Sequence, residues 1–570
     1  MSKKICIAQT KLELKYILSK IRDKTNIVCL PLNLETELYC KSNKINHYRL
    51  KNFLKLDFQK RAILANEILK KKLFYGDLYY TSEKESFISA VRFRLNSLIF
   101  LIESIKAIKI KTKIQCFYIS GWNKNIAEYS SKNYFISKII LELFKKEKII
   151  IINKKLSKIN KLKSYSYELE IKNLDQKKKY ALVNNVGYNF FRLILILFVK
   201  KYYTLAVIHK EDVKFNIFKK FIYKVLNVKF FYFVKNKNKY KDKIKIPKIK
   251  FYYNSINLSK LLNDFITQQK MYSLSLKSQI QSIDYLFSNT DIKITFSNLS
   301  RGISGYLVEK SVKKKINTIY VPHGTVARYY NKYDKIYKKI IADSLFSYKK
   351  TKLALQSKIT SDFIKYFKIK NKTLTTGNLV FSKSKKILFF KKNSYLLYAV
   401  TLKDFFNIQY YGVEMFYEYL DNLNFLNNFA KKNNLKIVVK PHPSEFKSIK
   451  DLKFNFKNLI FKNDRIDHLL NNALATISFS SSVIEDSIHS RVPVILLDRW
   501  VRYKHCKAET NPEKKNEAIY YINNSINFSK CINTIKESKK IKFEKYIFKN
   551  YHQSVFYNYL TAFSTLILQQ

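Results

Sequence analysis

The chain has 570 residues, too long for one core, and 47% of them are hydrophobic, which excludes a disordered protein and predicts two to four domains. Its formal net charge of +66 is mostly Lys, with 12 Arg, and is spread along the whole length. With no zinc knuckle, RRM-type aromatic motif or basic-leucine pattern beside it, that charge argues against a specific nucleic-acid reader and leaves a solvated Lys surface or contact with an anionic membrane.

In chain order, residues 4–9 and 26–30 read as short strands around a helix. Residues 82–109 have helical periodicity, with Ile88, Val91, Leu95, Ile99, Ile102 and Ile105 on one face. A strand at 113–119, a helix at 134–146 and a strand at 148–152 continue the alternation, which predicts a parallel α/β sheet. From about 154 the pattern weakens: 190–200 is very apolar and expected in the core, and 235–250 reads as a Lys-rich linker. Alternation returns with a strand at 292–296, Gly302 and Gly305 opening a helix at 306–314, and a strand at 318–321. A helix over 351–367, a strand at 372–375 and a turn at Gly377-Asn378 follow, then a Lys-rich connection over 382–393. The second half predicts strands at 395–401, 435–439, 475–479 and 494–497 and helices at 415–433, 467–474 and 483–490. Residues 540–570 read as helical.

The chain has 7 Pro and 8 Gly, and a third of them fall in three short motifs that each follow an apolar strand. Such loops lie at the C-terminal ends of parallel strands, where open α/β sheets bind ligands. In the first, His323-Gly324-Thr325, the Gly permits close approach and His323 is suited to general-base work; Arg328 is placed to pair with a diphosphate. In the second, Pro441 and Pro443 hold His442 extended, with Glu445 two residues on. In the third, Ser480-Ser481-Ser482 opens a helix whose N-terminus suits a phosphate, with Asp486 in its first turn; one Ser would suffice as a cap. Glu445 and Asp486 read either as ligand contacts or as ordinary helix-start carboxylates, and Arg499 and Arg502 are further candidates. No metal-ligand spacing, Walker loop, nucleophile elbow or dinucleotide fingerprint is present, so neither metal nor cofactor is expected.

None of the six Cys has a partner at metal-ligand spacing, which fits a reduced compartment. The N-terminus reads as a first strand rather than a signal peptide, and the uncharged run 193–199 is far short of a membrane span. A cytoplasmic protein, peripheral on the inner face of the membrane, is the expectation.

The ordered motifs resemble the GT-B class of nucleotide-sugar-dependent transferases, above all the CDP-glycerol glycerophosphotransferase group and related capsule and surface-polysaccharide transferases. The resemblance rests on His323-Gly324-Thr325, on Lys440-Pro441-His442-Pro443, and on Ser481-Ser482-Val483-Ile484-Glu485-Asp486 with Pro493 seven residues on, and it covers about residues 291–498. Thr376-Gly377-Asn378 also resembles a turn of this superclass, which includes the non-hydrolysing sugar-nucleotide 2-epimerases. Phe479 stands where the group carries an acid, and Leu379 where Pro often follows the turn. The resemblance implies two Rossmann-like domains with parallel sheets facing a cleft. An acceptor-side domain would span 1–382, with an irregular insertion around 154–260, and a donor domain 383–545; a helix over 546–570 would cross back. It also implies that His442, Ser481 and Ser482 hold the nucleotide and phosphates of a sugar or polyol donor, CMP or CDP type favoured. His323 would face a glycan or lipid-linked acceptor. A 2-epimerase and a basic membrane-surface or nucleic-acid-binding protein are the rival readings.

Overall fold

The computed structural model describes residues 2–8, 10–49, 101–120, 148–152, 177–184, 190–208, 217–239, 279–298, 302–321, 348–376, 394–399, 414–442, 448–501 and 504–548, with short stretches and single positions elsewhere. Their strands form three main sheets.

The first sheet holds β1 (Lys3–Ala8), β2 (Ile27–Pro31), β3 (Ile114–Ser120) and β4 (Lys148–Ile152), all parallel in the order β2-β1-β3-β4. Helix α1 (Lys11–Lys20) connects β1 to β2, and its start is fixed by a reciprocal capping box of Thr10 and Glu13. Helix α2 (Leu34–Ser42) follows β2, capped by the Asn33 side chain.

The second sheet has eight strands: β5 (Tyr165–Leu169), β6 (Lys179–Asn184), β7 (Tyr203–Ile208), β8 (Val228–Lys239), β9 (Asp291–Ser297), β10 (Asn317–Tyr320), β11 (Lys352–Leu355) and β12 (Thr373–Thr375). Their order is β12-β11-β10-β9-β6-β7-β8-β5, parallel except for β5, which runs antiparallel to β8 at the edge. Helices α3 (Phe190–Val199), α4 (Ile217–Val225), α5 (Gly302–Lys313) and α6 (Lys358–Tyr366) accompany it.

The third sheet holds β13 (Tyr395–Ala399), β14 (Ile437–Lys440), β15 (Ile460–Phe461), β16 (Ala473–Ser478), β17 (Val494–Leu497) and β18 (Ile519–Ile522). All are parallel, in the order β15-β14-β13-β16-β17-β18. Its helices are α7 (Phe416–Asn433), α8 (Ile449–Asn455), α9 (Ile466–Leu470), α10 (Val483–His489) and α11 (Ser525–Glu537).

The structure differs from the sequence expectation in three places. The strands of residues 1–382 lie in two sheets. The span read as an irregular insertion supplies β5 to β8, half of the second sheet; the outer part of β8, Val234–Lys239, alternates Lys and Asn, and that polar run hides the strand. The helix expected over 351–367 is β11 followed by α6, because extended Ser357 ends one element and starts the other. The 190–200 segment is a helix, with Leu193, Ile194, Ile196 and Leu197 at most 3% exposed, as a core reading requires. Residues beyond 548, where a returning C-terminal helix was expected, lie outside the described residues.

The first and third sheets share one hydrophobic core. A single cluster joins Ile5, Leu30 and Leu38 to Leu396, Tyr417, Leu420 and Phe528. Polar ties cross the same junction: the Tyr417 hydroxyl donates to the Pro31 carbonyl at 2.7 Å, and Lys11 pairs with Asp451 at 2.8 Å. Arg49 bridges Glu37 of α2 and Asp421 of α7, and its Nε donates to Glu37 at 2.6 Å. Burial pushes the Glu37 carboxyl above its usual range even with Arg49 against it.

Helix ends show the scarcity of glycine directly. Lys44, Lys201, Lys315, Lys368 and Arg491 each follow a helix with φ between 50° and 60°. At each, the next residue's amide reaches back across the turn, for example Ile45 to Cys40 at 2.8 Å and Ile316 to Ser311 at 2.8 Å. These are Schellman closures made with lysine or arginine at the left-handed position where glycine is the usual occupant.

Candidate functional site

In the third sheet the chain runs from β13 outward through β14 to β15, then crosses to β16 and runs outward the other way. The ends of β13 and β16 are therefore the switch point of this sheet, the place where an open α/β sheet offers a crevice for a ligand. The Ser478 hydroxyl donates to the Ala399 carbonyl at 2.8 Å and pins the two strand ends together at its base. The Ser487 hydroxyl donates to Thr476 Oγ1 at 2.8 Å and fixes α10 against β16.

The three serines beyond β16 divide the work. Ser481 is buried; its Oγ accepts from the Val483 amide at 3.3 Å and its carbonyl from the Ile484 amide at 3.0 Å. The Ser482 carbonyl accepts from the Glu485 and Asp486 amides at 3.0 and 3.2 Å. Ser482 is the N-cap residue of α10, yet its side chain makes no capping bond, and it is half-buried like Ser480. Capping thus falls to Ser481, and the hydroxyls at the mouth are those of Ser480 and Ser482. Asp486 and Glu485 are turned into protein, at 8% and 2% exposure. Phe479, where the resembled group carries an acid, sits in the core at 3% exposure.

On the other side of β13, β14 ends at Lys440, followed by buried Pro441 and half-buried His442. Lys440 Nζ donates to the Asp464 carbonyl at 2.8 Å, and burial holds its pKa below the usual lysine value. Two strand spacings, roughly 10 Å, separate the ends of β14 and β16. His442 and the serines therefore flank the end of β13. Arg499 turns elsewhere: it donates to the Asp421 carbonyl at 3.1 Å and lies 4.8 Å over the Phe425 ring.

The second sheet repeats this winding, with its own switch between β6 and β9. Asn184 and Ser297 are register partners at those strand ends, both fully buried, and Asn298 follows at 4% exposure with no hydrogen-bond partner at Oδ1. The Val321 amide donates to the Ser297 carbonyl at 2.8 Å, which holds Val321, two residues before His323, beside this point. Thr376 at the end of β12 is buried and bonded to the Leu355 carbonyl through its amide, at 3.1 Å, and its hydroxyl, at 3.3 Å. His323, Gly324, Thr325, Arg328, Gly377, Asn378, Pro443, Glu445 and Arg502 lie outside the described residues.

The C-terminal edge of the second sheet meets α10 of the third. The Ser357 hydroxyl, just past β11, donates to the buried Glu485 carboxylate. The Lys358 amide donates to the Tyr546 carbonyl at 3.0 Å, and Ile359 packs with Ile484, Ile488, Tyr546 and Ile547. His489 at the end of α10 is fully enclosed there, and burial pushes its pKa down to about 3, outweighing a backbone hydrogen bond at Gln356. Helix α10 thus begins at one crevice and ends at the junction of two sheets. Sequence reading missed Ser357, Ser478 and Asn298; the signal for each is a polar residue at the end of an apolar strand. Among the described residues, no group of three or more His, Cys, Asp or Glu could hold a metal ion.

No protein-family model matches the chain, and no curated protein matches it. Solved structures do resemble it at low similarity. A UDP-GlcNAc 2-epimerase from Neisseria meningitidis bound to UDP-GlcNAc is 11% identical with a TM-score of 0.39, covering 69% of this chain and 100% of that one. A UDP-GlcNAc 2-epimerase from Methanocaldococcus jannaschii is 13% identical with a TM-score of 0.36, covering 69% and 99%. S. aureus TarM in complex with fondaparinux, alpha-GlcNAc-glycerol and UDP is 12% identical with a TM-score of 0.35, covering 68% and 99%. At these scores the likeness carries no residue role; the α/β class and the parallel winding rest on this chain's own strand order.

Proposed function

We propose that the protein is a GT-B-type transferase that moves a sugar or polyol phosphate from a nucleotide-activated donor to a glycan or lipid-linked acceptor in surface or capsular polysaccharide synthesis. The observation that carries this reading is the placement of His442 and Ser480-Ser481-Ser482 on either side of the end of β13, at the switch point of the third sheet. A nucleoside diphosphate lying across that strand end would meet His442 with one part and the Ser482 hydroxyl with its phosphates. The second sheet would hold the acceptor. His323 would take the proton of the attacking acceptor hydroxyl as its oxygen bonds to the transferred group and the nucleotide leaves. The positive end of α10 and Arg328 would stabilise the charge on the departing phosphate. The acceptor portion proposed within residues 1–382 is then the second sheet, and 383–545 remains the proposed donor portion, on the cytoplasmic side of the membrane.

Thermal shift and calorimetry with CMP, CDP, UDP and GDP test the reading. Cytidine nucleotides should bind best. Tight UDP binding without CMP or CDP binding would move the donor class and leave the site standing. Binding of no nucleotide would overturn it. Conversion of a UDP-sugar at C2 without any acceptor would replace transfer with epimerisation.

A further inference from the structure

Helix α4 has two apolar faces, and the second sheet uses one of them. Ile222, Tyr223 and Leu226 pack with Ile194, Leu195 and Ala206. The other face stands in solvent: Ile217 is 87% exposed, Phe218 70%, Phe221 64% and Val225 55%. At about 100° per residue these four side chains form one stripe, with Lys220 and Lys224 along its free border. Helix α3 extends the patch. It lies beside α4 because the successive parallel crossovers β6-β7-β8 put both helices on one side of the sheet. Phe198 and Val199, at 37% and 55% exposure, share the face of Leu195, which packs beside Ile222. Lys200 and Lys201 follow at its end.

Single exposed apolar residues need no explanation, but two aromatic and two aliphatic side chains on one stripe of a nine-residue helix do. No acidic residue lies in α3 or α4, and Lys200, Lys201, Lys220 and Lys224 border the patch. No helix among the described residues is long and apolar enough to cross a membrane. We infer that the exposed face of α4, extended by Phe198 and Val199, docks on an anionic lipid surface. Its aromatic and aliphatic side chains enter the acyl boundary while Lys220, Lys224 and Lys201 meet the headgroups. A partner of this charge fits a chain of net charge +66 better than a second copy of the same chain would. The inference stands apart from the donor assignment, because it is read without nucleotide.

Flotation of the full chain tests it, with vesicles of phosphatidylcholine alone and of phosphatidylcholine with phosphatidylglycerol, at low and high salt. Wild type should float with the anionic vesicles at low salt. Phe218→Ser with Phe221→Ser should lower that binding by about tenfold, and Lys220→Glu with Lys224→Glu by a similar factor. Both variants change exposed positions and should keep the wild-type melting temperature. Equal flotation of wild type and the Phe variant would overturn the inference, as would equal wild-type binding to neutral vesicles. Lipid-free dimers of wild type that the Phe variant loses, with unchanged flotation, would assign the surface to a second copy instead.

Discussion

The first and second sheets relate to the third in opposite ways. The first shares a continuous core with it, sealed by Tyr417, Lys11 and the Arg49 bridge. Among the described residues, the second keeps separate clusters around β6, β7 and β9 and meets the third through Ser357, Ile359 and the chain near Tyr546. A shared core holds two sheets as one body. A junction built on a hydroxyl-carboxylate bond and a few apolar contacts is the kind that domain closure can rearrange. The proposed donor-side crevice thus sits on a buttressed body, and among the described residues the proposed acceptor side is joined to it more lightly.

Four experiments sharpen or break this contrast. The largest effect should come from Arg49→Ala, which strands Glu37 in the shared core; loss of about 3–5 kcal/mol is expected for a buried pair cut on one side. Denaturant unfolding followed by probes in both sheets should show them melting together, and separate transitions would end the one-body description. His323→Ala should lower turnover by roughly a hundredfold, with nucleotide affinity and melting temperature unchanged. Near-normal turnover would remove His323 from the chemistry. Ser482→Ala should weaken nucleotide binding by about 1–3 kcal/mol at constant stability, whereas Ser481→Ala should cost about 0.5–2 kcal/mol of stability through the lost cap. If the two variants behave alike, the division between the serines is wrong.

The smallest effect concerns pH. His489 has an unfolded pKa near 6.5 and a folded one near 3, so below about 6.5 the unfolded chain takes up a proton that the folded chain refuses. Stability is then complete above that pH and falls as pH drops, by up to about 1.4 kcal/mol per unit. Melts between pH 7 and 5, above the range of most carboxylates, should show this slope, and His489→Gln should flatten it.

The third sheet was legible because its central strands are short, largely apolar runs, and β14 and β16 end at motifs that contrast with the Lys and Asn around them. Strand β18 and helix α11 were passed over, although Ile519–Ile522 and the Asn524 cap are local signals of the same kind. The second sheet was half hidden. Strand β8 dissolves into Lys and Asn, and β5 reaches β8 only by an antiparallel pairing that no local pattern announces. The Ser357 to Glu485 bond spans 128 residues, and the Tyr417 to Pro31 bond across the shared core of the first and third sheets spans 386. Periodicity reports on neighbours along the chain and is silent about such contacts. At the candidate site the sequence placed three serines together; only the backbone separates the capping one from the other two.

The lysines that close helices in the left-handed conformation imply that this chain stands below the stability its fold allows. Each such residue crowds its own Cβ against the following carbonyl, a strain of about 1–2 kcal/mol that glycine avoids, less what glycine loses in chain entropy. Lys44, Lys315 and Lys368 carry complete Schellman bonding, so the turn geometry is already in place. Replacing each of these with Gly should gain about 0.5–1 kcal/mol. A composition that has shed glycine nearly everywhere has left improvements at these three helix ends, none of which is proposed to meet a nucleotide, an acceptor or a lipid.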